Sequence, residues 1–149
     1  MSGLDPQIQS LITVKLNVVN VKMSRQIGQA VHKLAGLRLP EWRILALLAS
    51  TGTLSQADIR NQIGMDKGQI SRTVKTMLAS DLISNEEDSG KARNVRLNLT
   101  EKGLEIYRQV DVMMEKRNQQ LLASLTDEQK LAMLDALECL EKSVDAWSM

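Results

Sequence analysis

Apolar residues recur at helical spacing along the first quarter of the chain. They follow one another at steps of three and four from Ile8 to Leu34, and no proline interrupts them. This is the period of one helix face. A second apolar strip, Leu11 to Val21, runs beside the first. The pattern predicts one long helix from about Pro6 to Leu34. A helix that is apolar on two faces needs two partners, and a second copy of the chain is a candidate for one of them.

Shorter elements follow this helix. Gly36 and Pro40 indicate a loop, and a short apolar helix is predicted from Glu41 to Ser50. Two further short helices are predicted, the first opened by Leu54 to Ile59 and the second starting near Met65. Their starts and the turn between them are set by residues suited to caps and turns. These residues are Ser55 and Asp66 as N-caps and Gly64 as a left-handed helix end.

A hairpin is predicted after the second short helix. Val95, Leu97 and Leu99 alternate with polar residues as in a strand, and a turn centred on Gly90 precedes them. Lys91 and Arg93 lie near the tip. Two small helices followed by such a ribbon are the parts of a winged helix-turn-helix, which holds one helix out where it can enter a DNA groove.

The C-terminal third is predicted to be helical. Thr100 starts a helix that reaches about Ser124, and Thr126 with Gln129 forms a capping box for the last one. The expected fold is therefore mainly α, an α+β winged helix, with N- and C-terminal helices as a dimerisation domain. Residues 41–99 are the predicted DNA-binding domain, and residues 1–40 and 100–149 are the predicted dimerisation region.

The second short helix has a face that suits nucleic acid. Ile70, Val74, Met77 and Leu78 share the side that must be buried, and the opposite side carries hydrogen-bond donors. Arginine can pair with guanine, glutamine with adenine, and serine or threonine with either. A solvated helix face is the competing interpretation. The residues predicted to contact DNA, wing tip included, are Lys67, Gly68, Gln69, Ser71, Arg72, Lys75, Thr76, Lys91 and Arg93.

Composition narrows the function classes. The chain has 149 residues, 2% of them aromatic, and a net charge of +1, which argues neither for nor against nucleic acid. Cys139 is the only cysteine, which excludes an intramolecular disulfide and fits a cytoplasmic protein. The longest apolar run, Ile44 to Ala49, is too short to span a bilayer, so no membrane partner is expected.

No catalytic or metal-binding constellation is visible. His32 is the only histidine, and there is no cysteine cluster or glycine-rich phosphate loop. We therefore expect no enzyme activity, metal or cofactor. Cys139, between apolar neighbours, is predicted to be a small buried side chain.

Several motifs together resemble the MarR family of dimeric bacterial transcription regulators, over nearly the whole chain. They are Glu41 to Leu45, Leu54 to Ile59, Ile70 to Arg72, Asp81 to Ile83, and Arg93 to Gly103. The resemblance implies a homodimer whose first and last helices interleave. It also implies a DNA-reading helix from about Asp66 to Ser80, a wing that reaches the minor groove through Arg93, and a pseudo-palindromic operator.

The resemblance also implies a small-molecule effector, often an aromatic acid, between the helical dimer base and the DNA-reading lobe. His32, Trp42 and Arg43 lie near that junction, although a solvated histidine and a core tryptophan are the simpler interpretations. One departure concerns the wing, because Lys91 stands where the family usually has an acidic residue.

The function expected from these features is sequence-specific DNA binding by a transcription regulator, acting as a repressor that a ligand releases. The alternative is a winged-helix adaptor that binds protein and not DNA. The acidic run Glu86 to Asp88 keeps that alternative open, because carboxylates facing DNA would be repelled. These acids are expected to point away from DNA or to orient the basic residues.

Overall fold

The computed structural model describes residues 6–87 and 95–147. It is mainly α-helical with a small antiparallel sheet, and the predicted winged helix-turn-helix architecture is confirmed. The chain forms two compact units, Met1–Val110 and Asp111–Met149. In chain order the described elements are α1 (Pro6–Ala35), α2 (Leu39–Thr51), β1 (Leu54–Ser55), α3 (Gln56–Ile63), α4 (Lys67–Ala79), β2 (Ile83–Glu87), β3 (Val95–Leu99), α5 (Glu101–Leu122) and α6 (Asp127–Ala146).

The predicted caps set the turn between α3 and α4. The Asp58 N–H donates to Ser55 Oγ at 3.1 Å, and the Gln69 N–H donates to Asp66 Oδ1 at 2.8 Å. Gly64 ends α3 with φ 65° and ψ 34°, the left-handed conformation that glycine adopts at little cost. The start of each helix and the turn between them are therefore fixed by bonds within a few residues.

The start of α2 differs from the prediction. Pro40 lies in the first helical turn and not in a loop, because a missing N–H costs nothing there. Glu41 closes this turn. Its buried carboxylate accepts the Arg38 backbone N–H at 2.7 Å and the Arg38 guanidinium at 2.6 and 3.0 Å. The Glu41 hydrogen bonds raise the pKa of Arg38 above its ordinary value.

The sheet has a strand that the sequence did not predict. Leu54, expected to open the helix, belongs with Ser55 to β1, which pairs with β3. The strand order is β1-β3-β2, so β3 is central, with Leu97 opposite both Leu54 and Asn85. Leu97 is completely buried as a result.

The core of the first unit is aliphatic, as the scarcity of aromatic residues suggested. It joins α2, α3, α4 and the sheet, with one aromatic stack added by Trp42 and Tyr107. The largest fully buried side chains are Ile44, Leu45, Ile59, Met77, Ile83, Leu97, Val31, Val74 and Val110.

Three backbone segments meet where α5 begins. The Thr100 hydroxyl donates to the Asp81 carbonyl at 2.7 Å and accepts the Gly103 N–H at 3.0 Å, while the Thr100 N–H donates to the Leu82 carbonyl at 3.2 Å. A Cβ on Gly103 would overlap the Leu82 carbonyl oxygen. The first turn of α5 therefore lies directly against the chain that leaves α4.

In the second unit, α6 starts at the predicted capping box. The Gln129 N–H donates to Thr126 Oγ1 at 3.2 Å, and the Thr126 N–H donates to Gln129 Oε1 at 3.0 Å. No residue of α6 is buried in the single chain. The expectation that Cys139 is buried is therefore wrong for one chain, since its side chain is exposed.

Among the described residues no helix is both long enough and apolar enough to cross a bilayer.

Gly103→Ala should destabilise the protein by about 1–3 kcal/mol or more, because the new methyl group meets a backbone oxygen that cannot rotate away. Gly28→Ala is the matched control. Its Cβ would make an ordinary 3.7 Å contact with Leu39 Cβ, so it should gain about 0.5–1 kcal/mol from helix preference. Chemical denaturation measures both. Equal stability of Gly103→Ala and the parent would contradict the close approach.

Candidate nucleic-acid interface

Helix α4 is buried on one side only. Ile70, Val74 and Met77 are at most 2% exposed, and Thr73, which was not among the predicted core positions, is buried with them. The predicted contact residues of α4 lie on the other side. All of them are exposed apart from Gln69, which is half-buried; the exposed ones are Lys67, Gly68, Ser71, Arg72, Lys75 and Thr76.

The cations of this face have no partner within the described residues. The two ion pairs found there are Arg38–Glu41 and Lys130–Asp127, both on other elements. Across the same residues no hydrogen bond uses a side-chain nitrogen of Lys67, Arg72 or Lys75. Charged donors that are left unpaired on one face are free to bind phosphate oxygens or base edges.

The hydroxyl of Thr76 is used differently. It donates to the carbonyl of Arg72 one turn earlier, at 3.1 Å. This bond uses the hydroxyl proton within the helix, so it is not available to an outside acceptor. Thr76 therefore faces outward mainly as an acceptor, and the donors of this face come from the basic residues, Gln69 and Ser71.

A shallow groove of about 260 Å³ lies between α3 and α4. Arg60 stands on its α3 side and Lys67 on its α4 side, with Gln56 and Ser71 also at its edge. Sequence reasoning missed Arg60 and Gln56. The signal was available, because the two residues lie one helical turn apart and therefore share a face of α3.

The β2–β3 hairpin is hydrogen-bonded to the segment before β1. Arg96 lies opposite Glu86 in the β2–β3 pairing, and its guanidinium donates to the Thr53 carbonyl at 2.5 Å. The Thr53 hydroxyl donates to Glu86 Oε2 at 3.0 Å. The Glu86 carboxylate is thus directed toward Thr53 by a hydrogen bond.

The tip of the ribbon lies outside the described residues. This applies to Lys91 and Arg93, the two predicted wing contacts, and to Asp88. The DNA-contacting role of Lys91 and Arg93 stays a prediction from sequence.

The three predicted effector contacts lie in different surroundings. His32 is exposed on α1, and Arg43 is exposed on α2 with its guanidinium donating to Ser24 Oγ at 3.1 Å. Trp42 is buried, and its ring stacks on Tyr107 with centroids 5.6 Å apart and planes 12° apart. Trp42 is therefore a core residue in this structure. Within the described residues there is also no group of three or more His, Cys, Asp or Glu side chains that could hold a metal.

Comparison with known proteins finds similarity to transcription regulators. The family model described as "MarR family" matches residues 35–93. The HTH-type transcriptional regulator FarR of Neisseria gonorrhoeae is 29% identical over 106 residues, which cover 71% of this chain and 73% of FarR.

Solved structures agree with that comparison. A MarR/EmrR family transcriptional regulator from Acinetobacter sp. ADP1 is 29% identical with a TM-score of 0.86, covering 94% of this chain and 99% of its own. An organohalide-sensing transcriptional regulator bound to 2,4-dichlorophenol shares the fold, with a TM-score of 0.78 at 22% identity over 96% of this chain and 87% of its own.

The N-cap of α3 gives a pH-dependent prediction. The Ser55 hydroxyl donates to Asp58 Oδ2 at 2.6 Å, and this bond, followed by the one from the Ser55 N–H at 3.2 Å, holds the pKa of Asp58 below its ordinary value. Because the folded-state pKa is depressed, the stabilisation is present above the unfolded pKa, about 3.9, and is lost as the pH falls through the folded value.

Ser55→Ala should therefore raise the pKa of Asp58 and reduce the acid dependence of stability, whereas Ser55→Thr, which keeps the hydroxyl, should retain both. Carboxyl NMR titration of Asp58 in the three proteins makes the measurement. An identical Asp58 pKa in Ser55→Ala and the parent would show that the hydroxyl bond is not the cause.

Proposed function

We propose that this chain is a DNA-binding transcription regulator of the MarR type, and that α4 reads the major groove of a pseudo-palindromic operator. The match of residues 35–93 to the MarR family model and the fold shared with a MarR/EmrR family regulator support this. The observation that supports this most directly is the exposed face of α4, whose cations have no partner among the described residues. The opposite side of α4 holds it to the core, so only this face can enter a groove.

Each residue of the face has a role suited to its chemistry. Arg72 can pair bidentately with guanine and Gln69 with adenine, whereas Lys67 and Lys75 bind phosphates as point charges. Ser71 can contact either base, and Thr76 offers mainly an acceptor to a base edge. Arg93 is assigned to the minor groove and Lys91 to the DNA backbone, as the resemblance implies. Arg60, at the edge of the α3–α4 groove, adds a further cation beside this surface.

A homodimer is the second part of the proposal. Exposed apolar side chains run along α1, including Leu11, Val14 and Val21, and along α6, including Leu137, as far as its C-cap Trp147. Apolar surface of this extent on a folded chain marks an association surface. A two-fold dimer would place two copies of α4 in successive major grooves, roughly 34 Å apart.

Regulation by a small molecule is the third part. The organohalide-sensing regulator was solved with 2,4-dichlorophenol bound, which supports an aromatic effector for this chain. Repression that the effector relieves is the proposed mode of action. Arg43 is exposed and offers a cation to an acidic group, with His32 as a further polar contact. A ligand ring can take the face of Trp42 that Tyr107 covers only by displacing Tyr107.

The functional division proposed from sequence assigns residues 41–99 to DNA binding and residues 1–40 and 100–149 to dimerisation.

The alternative function, a winged-helix adaptor that binds protein, is not favoured, because the relatives named above are transcription regulators. Glu86, one of the acids that kept this alternative open, accepts a hydrogen bond from Thr53.

Arg72→Ala should cost about 1–3 kcal/mol of specific binding if Arg72 contacts a base, and should weaken binding to all sequences alike if it contacts a phosphate. The matched control is Arg25→Ala, which removes an exposed arginine from α1. Operators are first selected with the parent protein, and affinities are then measured over a salt range. Loss of a phosphate contact should make the slope of log affinity against log salt shallower by about one unit. Unchanged affinity would remove Arg72 from the interface.

Leu137→Lys should weaken the dimer, because it places a charge within the apolar stripe of α6. Asp135→Lys is the control, since Asp135 lies on the polar side of that helix at 100° per residue. Light scattering at micromolar concentration compares the two. A stable folded monomer in the parent protein itself would overturn the dimer.

A further inference from the structure

Gly68 lies in the first turn of α4, beneath the end of the Arg72 side chain. Side chains on a helix lean toward its N-terminus, so residue 72 covers the surface of residue 68 one turn earlier. A Cβ on Gly68 would stand 3.2 Å from Arg72 Nη1 and 3.3 Å from Asp66 Oδ1. Both distances are shorter than ordinary van der Waals contact, so the guanidinium occupies space that a larger residue would need.

The two neighbours differ in how easily they can move. Asp66 Oδ1 is held by the Gln69 N–H at 2.8 Å, the bond that caps α4. The Arg72 guanidinium has no hydrogen bond to any of the described residues. A methyl group at position 68 would therefore displace the guanidinium and leave the cap in place.

The position of this guanidinium matters because the N-terminal residues of a recognition helix are those that reach base edges. A bidentate contact with guanine requires both donors of the planar guanidinium in register with two acceptors. A shift of the guanidinium by a fraction of an ångström along α4 changes that register.

We propose that Gly68 is a specificity-determining positioning residue, which acts by leaving room for the Arg72 guanidinium over the first turn of α4. This rests on the proposed DNA-reading role of α4 and deepens it. The simpler alternative is that glycine at this position only lets DNA approach the helix. The two explanations differ in whether the effect of residue 68 passes through Arg72.

A double-mutant cycle tests the inference. The four proteins are the parent, Gly68→Ala, Arg72→Ala and the double variant, measured on the selected operator and on operators changed one base pair at a time. Gly68→Ala should lower the preference for one base pair by about tenfold, the lower part of the range for one bidentate contact. In the Arg72→Ala background the same substitution should change nothing. Coupling of this kind is what a double-mutant cycle isolates.

Thermal unfolding of Gly68→Ala serves as the folding check. Its stability should equal or exceed that of the parent, because alanine favours the helix over glycine. Gly28→Ala adds a methyl group on α1, away from α4, and should leave the base preference unchanged.

The possible outcomes distinguish failure of the role inferred for Gly68 from failure of the DNA-reading role proposed for α4. An unchanged base preference in Gly68→Ala overturns the inference, and so does an equal loss in the presence and absence of Arg72, which would show direct steric exclusion of DNA. If Arg72→Ala itself leaves base preference unchanged, the reading role of Arg72 fails and the role of Gly68 fails with it.

Discussion

The orientation of α4 depends on a backbone contact at its far end, where α5 begins. The Leu82 carbonyl accepts the Thr100 N–H and lies against Gly103, where even a methyl group would overlap it. The next residue, Ile83, is paired with Leu99 across the sheet. The end of α4, the first strand of the ribbon and the start of α5 are thereby joined within a few residues. This junction and the buried Ile70, Val74 and Met77 hold one side of α4, so that its other face, the one proposed to read DNA, points outward.

Three carboxylates near the helix-turn-helix cap a helix or bind the segment before β1, and the cations of α4 have no ion-pair partner among the described residues. Asp58 and Asp66 accept backbone N–H groups at helix starts, and Glu86 accepts the Thr53 hydroxyl. An acid that accepts a hydrogen bond from a backbone donor stabilises the fold without cancelling a charge on the exposed face of α4. A chain of net charge +1 can therefore offer an unpaired basic surface. The distribution of charge over the surface matters more here than its total.

The sequence was informative where a structural cause acts over a few residues. The caps at Ser55 and Asp66 and the left-handed Gly64 were predictable, because each depends on partners within four positions. The strand β1 was not, since two residues carry no periodicity and the pairing partner of Leu54 lies at Leu97. Trp42 was an ambiguous candidate for the same reason, because its stacking partner Tyr107 is distant in the chain. Which face of α4 is exposed was predictable from its period. The proposal that this face binds DNA rests on its unpaired donors and on the similarity to MarR-family regulators.

Gly68 and Gly103 both lack a side chain, but the lack of a side chain has a different consequence at each position. At Gly103 the neighbouring atom is a backbone carbonyl oxygen, fixed by its own hydrogen bond, so an added methyl group must distort the fold. At Gly68 the nearest neighbour is the end of a long unpaired side chain, which can move at little energetic cost. The first substitution acts on the free energy of folding, and the second acts on where Arg72 points. Because one methyl group is added in each case, the comparison separates the stability of the helix-turn-helix from the direction of its donors.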